Sequence, residues 1–372
     1  PYTISFLLDF IWFKLFPNNA TKFEALCNRT PPLKDSNVML LNELIKDEKK
    51  NDKALYSSGP YWDYKNSRAV IEIKKKGLND FRGINAGIGT SFADNLVLDI
   101  RNEFNIKGRT IGKIFSLPLL NIIFNGQLNT TKNYIDLLIK NQAIVYQNNQ
   151  NVQNLIKKFK FENTTDFGCV QSFEYLKKNY SCHYLKMAHR INELSKSFDF
   201  KNIKSLFEIG GGFGANIHFL ITNFPNIKKI LYLDVVPNIY VGTEYLRYHY
   251  KDKVKDYLEL KNLDTINFSK NNDLEIFCIP PWLIEKVETE IDHFHNAASF
   301  VEMPKKVISN YVKFIKKFKI KEISLLSYDR FDLETTFNPE ELNHFFNNKL
   351  SISRKNTLIE EHKIKDIYLT SN

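Results

Sequence analysis

Cysteine is scarce in this 372-residue chain: Cys27, Cys169, Cys182 and Cys278 are the only four. No two of them form a Cys-x-x-Cys pair, so the sequence signals neither a zinc site nor a disulfide framework. That usage fits a reducing, cytoplasmic setting. Long apolar runs are missing as well. Ile4–Phe16, ISFLLDFIWFKLF, is shorter than the roughly 20 apolar residues of a spanning helix, and Asp9 and Lys14 interrupt it. No small-residue cleavage site follows it, which argues against a signal peptide. It reads as a helix packed on the protein or a partner, with peripheral contact at the inner membrane face as a second reading. No internal repeat is visible. No basic stripe interleaved with aromatics occurs either, which makes nucleic acid an unfavoured partner.

What the chain does have is core-forming material and positive charge. Its hydrophobic fraction is 43% and its formal net charge is +10. Such a balance favours anionic partners, although a Lys-rich composition alone gives the same sign. Lys313, Lys316, Lys317, Lys319 and Lys321 cluster late in one expected helix. They read as a solvated face that complements a helix C-terminus, or as an attraction for an anionic or lipid-linked partner.

The two halves of the chain differ in pattern. Residues 1–199 lack strand–helix alternation and are expected to form a mainly helical region that covers a site and helps bind an acceptor. Within it, Asn42–Lys53 reads as a charged, solvated stretch, and Tyr56–Arg101, with its glycines and aromatics, as structured loop. Ile111–Leu128, Tyr134–Val145 and Phe173–Leu194 carry helical apolar spacing, and Gln147–Asn154 reads as a surface loop or helix end.

Residues 200–372 alternate. Expected strands are Ser205–Ile209, Lys229–Leu233, Leu274–Ile279, Ile291–His295 and Ile323–Ser327. Expected helices are Ala215–Asn223, Tyr240–Tyr250, Ile284–Thr289 and Lys305–Phe318. Asn338 and Pro339, with Glu340 and Glu341 behind them, announce a further capped helix. Leu350–Asn356 and Ile364–Thr370 close the chain as two strands. The fold class expected is α/β, a doubly wound Rossmann-like sheet with an antiparallel C-terminal strand pair.

The densest motif is Ser205–Ala215, SLFEIGGGFGA, followed by ILYLD at Ile230–Asp234. A buried strand runs into a glycine turn and a helix start, and the next strand ends on an acid. Gly210, Gly212 and Gly214 let the backbone turn tightly against a ligand. The helix behind them points its free N–H groups at the same place. Asp234 lies 20 residues after Gly214, where a carboxylate can take both hydroxyls of a ribose. An adenosine-containing cofactor follows.

Gly210-x-Gly212-x-x-Ala215 satisfies the dinucleotide fingerprint. Glu208-x-Gly210-x-Gly212-x-Gly214 also resembles the first motif of S-adenosylmethionine-dependent methyltransferases. Glu208 decides between them, because a carboxylate repels a pyrophosphate and tolerates a sulfonium with an amino acid tail. S-adenosylmethionine is therefore the expected cofactor. Structural readings remain beside this one: Glu208 as a helix cap or the partner of a lysine, Asp234 as a loop cap.

A second motif, DHFHNAASFVEM at Asp292–Met303, runs off the fourth strand. With FEIGGGFG at Phe207–Gly214, GLNDFR at Gly77–Arg82 and SFAD at Ser91–Asp94, it resembles the sugar O-methyltransferases of bacterial surface-polysaccharide pathways. The likeness runs from about Trp62 to Asp329. It implies a methyltransferase acting on a sugar or glycan hydroxyl in polysaccharide biosynthesis. The chain departs from that pattern in placing His293 and His295 inside the strand.

A sugar hydroxyl is a weak acid, so a base must take its proton. His295 is the first candidate and Glu302 the second, if burial raises its pKa. Asn296 is expected to bond the cofactor and Ser299 the substrate; the alternative is a loop that satisfies its own backbone. Trp282, in Ile279-Pro280-Pro281-Trp282, is an adenine stacker or a half-buried loop residue. That segment is also similar to the proline-aromatic motif of nucleic-acid amino-methyltransferases, but Ile279 stands where those enzymes place a polar residue. An NAD-linked oxidoreductase and a non-catalytic partner subunit are the other rival readings. No ligand spacing calls for a metal.

Overall fold

The structure, a computed structural model, describes residues 38–51, 53–79, 81–82, 143–168, 170, 172–328, 338–354, 358 and 366–371. Ile4–Phe16, Ser91–Asp94, Ile111–Leu128 and most of Tyr134–Val145 lie outside them, as do Cys27 and Cys169. Cys182 and Cys278 are both buried.

The labelled helices are α1 Val38–Glu48, α2 Lys53–Tyr56, α3 Pro60–Lys76, α4 Gln150–Lys158, α5 Cys182–Leu194, α6 Ala215–Asn223, α7 Asn238–Tyr250, α8 Tyr257–Leu260, α9 Lys305–Lys317 and α10 Pro339–His344. The strands are β1 Ser172–Tyr175, β2 Lys178–Ser181, β3 Ser205–Ile209, β4 Lys229–Leu233, β5 Val254–Lys255, β6 Glu275–Ile279, β7 His293–Ala297, β8 Glu322–Ser327, β9 Leu350–Arg354 and β10 Ile367–Ser371. Among the described residues, no helix is long and apolar enough to cross a membrane.

The chain divides into two compact units. The described residues of the first fall within 79–157 and 163–185, and those of the second within 33–78, 158–162 and 186–372. So α1, α2 and α3 belong to the same unit as the long sheet.

In the first unit, β1 and β2 pair antiparallel from Ser172↔Ser181 to Tyr175↔Lys178. This corrects the continuous helix expected over Phe173–Leu194: the helix starts only at Cys182. Gln147–Asn154 is also more regular than expected, since α4 begins at Gln150 and buries Val152 and Leu155. Arg82, the end of the GLNDFR motif, is fully buried here. It donates from Nη1 to the Thr164 carbonyl at 3.0 Å and from Nη2 to Ser181 Oγ at 3.1 Å. Its role in the unit is to satisfy the turn that carries those groups.

In the second unit eight described strands form one sheet in the order β5-β6-β4-β3-β7-β8-β10-β9. All neighbours from β5 to β8 run parallel, and β10 is antiparallel to both β8 and β9. This is the doubly wound Rossmann-like sheet with an antiparallel C-terminal pair. Parallel strands covered on both faces read as continuous apolar runs, and every residue of β3 is buried. Phe207 on β3 meets Phe294 on β7 at 5.3 Å between ring centres and Phe318, just past α9, at 5.6 Å. α9 buries Val307, Ile308, Tyr311, Val312 and Ile315, its apolar stripe.

The strand order reverses between β3 and β7, because the chain builds outward from β3 through β4 and β6 and then returns to β7. In such sheets the crevice at the carboxyl ends of those two strands is where ligands bind.

Several local expectations need correction. The stretch expected as loop over Tyr56–Arg101 contains α3. Its glycines and proline are its ends: Gly59 precedes it at φ 87°, Pro60 opens it and Gly77 follows it at φ 70°. The short helix expected at Ile284–Thr289 is instead a 3₁₀ turn over Pro281–Lys286. β7 begins two residues later than expected and continues to Ala297. α10 starts at Pro339 as expected, but the Asn338 side chain makes no capping hydrogen bond.

Candidate active site

The turn after β3 is built from inside the protein. Gly210 has φ 73°, and a Cβ there would lie 2.1 Å from Ser299 Oγ. At Gly211 a Cβ would lie 2.8 Å from the Glu208 carboxyl carbon. Glycine is thus required at 210, by its backbone angle and by Ser299, while a side chain at 211 would displace the Glu208 carboxyl. Gly214 starts α6 at φ 81° against Leu246. Gly211 was not singled out from the sequence, although the unbroken run of three glycines was a usable signal.

Glu208 is fully buried beneath this turn. Its Oε1 accepts from the Asn216 amide at 3.0 Å, and its Oε2 has no hydrogen-bond partner among the described residues. Among the described residues no lysine pairs with it, and Asn216 ties it to α6. Burial pushes its pKa up to about 8; the Asn216 hydrogen bond pulls the other way, and the nearby Asp234 adds to the rise.

Asp234 ends β4 and is 4% exposed. Its Oδ2 accepts from Gly212 N at 2.8 Å and its Oδ1 from Val235 N at 2.7 Å. The side chains of Asn238 and Tyr232 also hydrogen-bond the carboxylate. Burial raises its pKa to about 7, against the pull of those backbone donors. Tyr232, whose hydroxyl donates to the Gly212 carbonyl, fixes the same turn from β4.

Asn296 and Ser299 are committed to protein. Asn296 Nδ2 donates to the Ile209 carbonyl at 2.8 Å and to Ser299 Oγ at 2.6 Å, while its Oδ1 accepts from Phe300 N. Ser299 Oγ also reaches the Ile209 carbonyl, at 3.3 Å. Together they tie the loop after β7 to the turn after β3, across the crevice. Their bonds here brace the two segments against each other.

The candidate bases stand in different surroundings. His295 is 3% exposed on β7, in register between Glu208 on β3 and Ser324 on β8. Its Nδ1 lies 2.8 Å from Ser324 Oγ, and His293 Nε2 lies 2.7 Å from the same oxygen. His293 Nδ1 is 3.3 Å from Glu322 Oε2. A carboxylate only accepts, so His293 donates from Nδ1. Ser324 then donates to His293 Nε2 and accepts from His295 Nδ1–H. This order leaves the lone pair of His295 on Nε2. Burial lowers the His295 pKa to about 3, helped by His293 and Arg190, so the ring is neutral.

Glu302 is held by residues absent from the sequence-based list. Its Oε2 accepts from Trp62 Nε1 at 2.8 Å and its Oε1 accepts from the Tyr328 hydroxyl. Burial raises its pKa, opposed by those two donors and by Lys65. Lys65 lies 5.3 Å from the Trp62 ring centre. Both come from α3, which the sequence did not announce, and this is why they were missed. Met303 is buried core.

Trp282 is half-buried, with its ring edge-on to Tyr257 at 5.9 Å. With Val236 it walls a cavity of about 380 Å³ whose other side is polar, including Ser57, Ser58, Asp63 and Asn66. Among the described residues no group of three His, Cys, Asp or Glu side chains could hold a metal ion.

No protein-family model matches the sequence, and no curated protein matches it. Solved structures do resemble it. One is the pyocyanin biosynthetic protein PhzM, at 11% identity over 50% of this chain and 57% of that one, with a TM-score of 0.33. Human N-acetylserotonin methyltransferase in complex with SAM is 12% identical over 51% of this chain and 54% of its own, with a TM-score of 0.33. Magnesium protoporphyrin IX methyltransferase from Synechocystis, with bound SAM, is 9% identical over 51% and 80%, with a TM-score of 0.34. The chain spans little more than half the length of the first two. Likeness at this level assigns neither activity nor cofactor.

Proposed function

We propose that the chain is an S-adenosylmethionine-dependent O-methyltransferase that methylates a sugar hydroxyl, in the synthesis of a surface polysaccharide. The observation that carries the reading is Glu208: a wholly buried carboxylate, one oxygen without a partner, directly under a glycine turn that Asp234 holds from the next strand. With its pKa raised to about 8 the ligand-free acid holds its proton near neutrality, and a cationic ligand beside it would favour the ionised form where a pyrophosphate would not.

S-adenosylmethionine, when bound, supplies a methyl carbon on a positively charged sulfur. Glu208 and the Gly210–Gly214 turn would hold its charged end. Asp234 would accept from the ribose hydroxyls in place of its Asn238 and Tyr232 side-chain donors, and Trp282 would flank the adenine. Asn296 and Ser299 keep the crevice in shape.

Glu302 takes the proton of the acceptor hydroxyl. Its pKa is raised, as a base that works near neutral pH requires, and two donors fix its orientation. His295 is too weak a base at about 3 for that task. It serves as a neutral acceptor that orients a hydroxyl through Nε2. The hydroxyls and amides around the cavity suit a hydroxyl-rich ligand, and the motif at Asn296–Met303 supports a sugar.

Turnover on a panel of sugar nucleotides and glycans tests the reading. Methylation of a sugar by the wild type and its loss in Glu302→Gln are expected; full activity of that variant on the acceptor would remove the base assignment.

A further inference from the structure

The opposite end of the sheet carries a second cavity, unrelated to the crevice. Its volume is about 630 Å³. The start of β8, the end of β10 and the start of β9 form it, together with the last turns of α9. Because β10 runs against β8 and pairs Ser371 with Leu350, all these segments meet at the amino-terminal end of the parallel strands. The six residues of β8 separate this end from Tyr328, a span of roughly 20 Å at the usual rise per residue.

The cavity has an apolar floor and a cationic rim. Val312, Ile315, Phe346 and Leu350 line it and are each no more than 6% exposed. Lys316, Lys319, Lys321 and Lys349 line it too, all of them exposed, and no acidic residue does. Lys319 pairs with Glu290, and Lys321 lies 3.9 Å from Asp292. Lys316 and Lys349 have no ion pair among the described residues. The solvated-face reading explains lysines on a helix end. It does not explain why lysines from α9, from the turn before β8 and from the turn before β9 converge on one apolar hollow.

We infer that this hollow docks the protein on an anionic phospholipid bilayer, with an acyl segment against the floor and phosphate groups against the lysines. Charge complementarity selects the partner, since four lysines and no acid line the cavity and Lys316 and Lys349 carry no ion pair among the described residues, and the floor selects a lipid over a free phosphate. Docked in this way, the crevice at the far end of the sheet faces away from the membrane. The inference stands apart from the proposed methyl transfer.

Co-sedimentation with vesicles tests it. The purified full chain is mixed with phosphatidylcholine vesicles, or with vesicles in which about a quarter of the lipid is phosphatidylglycerol. We expect salt-sensitive binding to the anionic vesicles only. Lys316→Glu/Lys349→Glu should weaken it by roughly thirty-fold or more, from the surface contribution of each lysine. Lys305→Glu/Lys306→Glu, with the same change of net charge at the other end of α9, should bind like the wild type. All four lysines are exposed, and matching thermal melts establish that the variants fold. Equal binding to neutral vesicles, no binding, or equal losses in the two variants would overturn the inference. So would tighter, competing binding of a single-stranded oligonucleotide at the same lysines.

Discussion

Glu208 and Asp366 are both buried carboxylates in the same unit, and their surroundings are opposite. Asp366 takes Arg190 in a two-pronged grip, Oδ1 to Nη2 at 2.8 Å and Oδ2 to Nε at 3.1 Å. Burial alone would raise its pKa, but Arg190 overrides it and brings the acid down to about 2. Glu208 has one neutral amide and, among the described residues, no cation, and burial takes it up to about 8. The fold completes one acid and leaves the other incomplete. A completed pair ties α5 to the strand hairpin at the end of the chain. An incomplete acid under a glycine turn, at the switch point of a parallel sheet, is where a positively charged ligand gains most.

The contrast can be broken from several sides. The largest effect is expected at the third acid, Glu302, which is oriented but not neutralised. Glu302→Gln should lower kcat by about 10²–10⁴-fold while binding S-adenosylmethionine like the wild type; a loss of binding in calorimetry would make it a cofactor residue instead.

Asp366→Ala leaves Arg190 buried without its partner. It should cost about 3–5 kcal/mol of stability, measured by denaturant unfolding, and leave cofactor affinity unchanged in whatever fraction is folded. The pair also sets a pH dependence. The folded pKa of Asp366 lies below its ordinary value of 3.8, so its stabilisation is full above that pH and disappears as pH falls toward 2.

Glu208→Gln should act in the reverse sense. A folded pKa of about 8 against an ordinary 4.5 means that the ligand-free protein loses stability as pH rises through that window. The variant should flatten the loss, melting higher than the wild type at pH 8.5, and bind S-adenosylmethionine about ten-fold or more weakly, the scale of one lost charged hydrogen bond. A variant that melts lower at pH 8.5 would show that Glu208 is satisfied in a way the geometry does not contain.

The smallest effect belongs to Trp62→Phe. It removes one donor to Glu302, so the acid limb of the kcat profile should move to higher pH, with a rate loss of about ten-fold or less. A pH profile that does not move would reduce Trp62 to packing.

The sheet and its turn were legible because their signals are local. A buried strand, three glycines and an acid at the next strand's end all lie within Ser205–Asp234, and the structure keeps that order. The hairpin of β1 and β2 was not legible for an equally local reason. Its turn residues, Leu176 and Lys177, have φ of 50° and 63°. Such a turn ordinarily carries asparagine or glycine, so neither residue announced it. α3 was hidden by its own caps, since Gly59, Pro60 and Gly77 read as loop when their helix is not yet known. With α3 went Trp62 and Lys65, two of the three groups that act on Glu302. The brace made by Asn296 and Ser299 depends on where the Ile209 carbonyl points, which no spacing in the sequence encodes.

The most direct test of the central claim is a calorimetric titration of the wild type with S-adenosylmethionine, S-adenosylhomocysteine and NAD, with Glu208→Gln alongside. The account predicts binding of the first two, a weaker response in the variant, and none from NAD. Binding of NAD alone would contradict it and make Gly210-x-Gly212-x-x-Ala215 a dinucleotide loop.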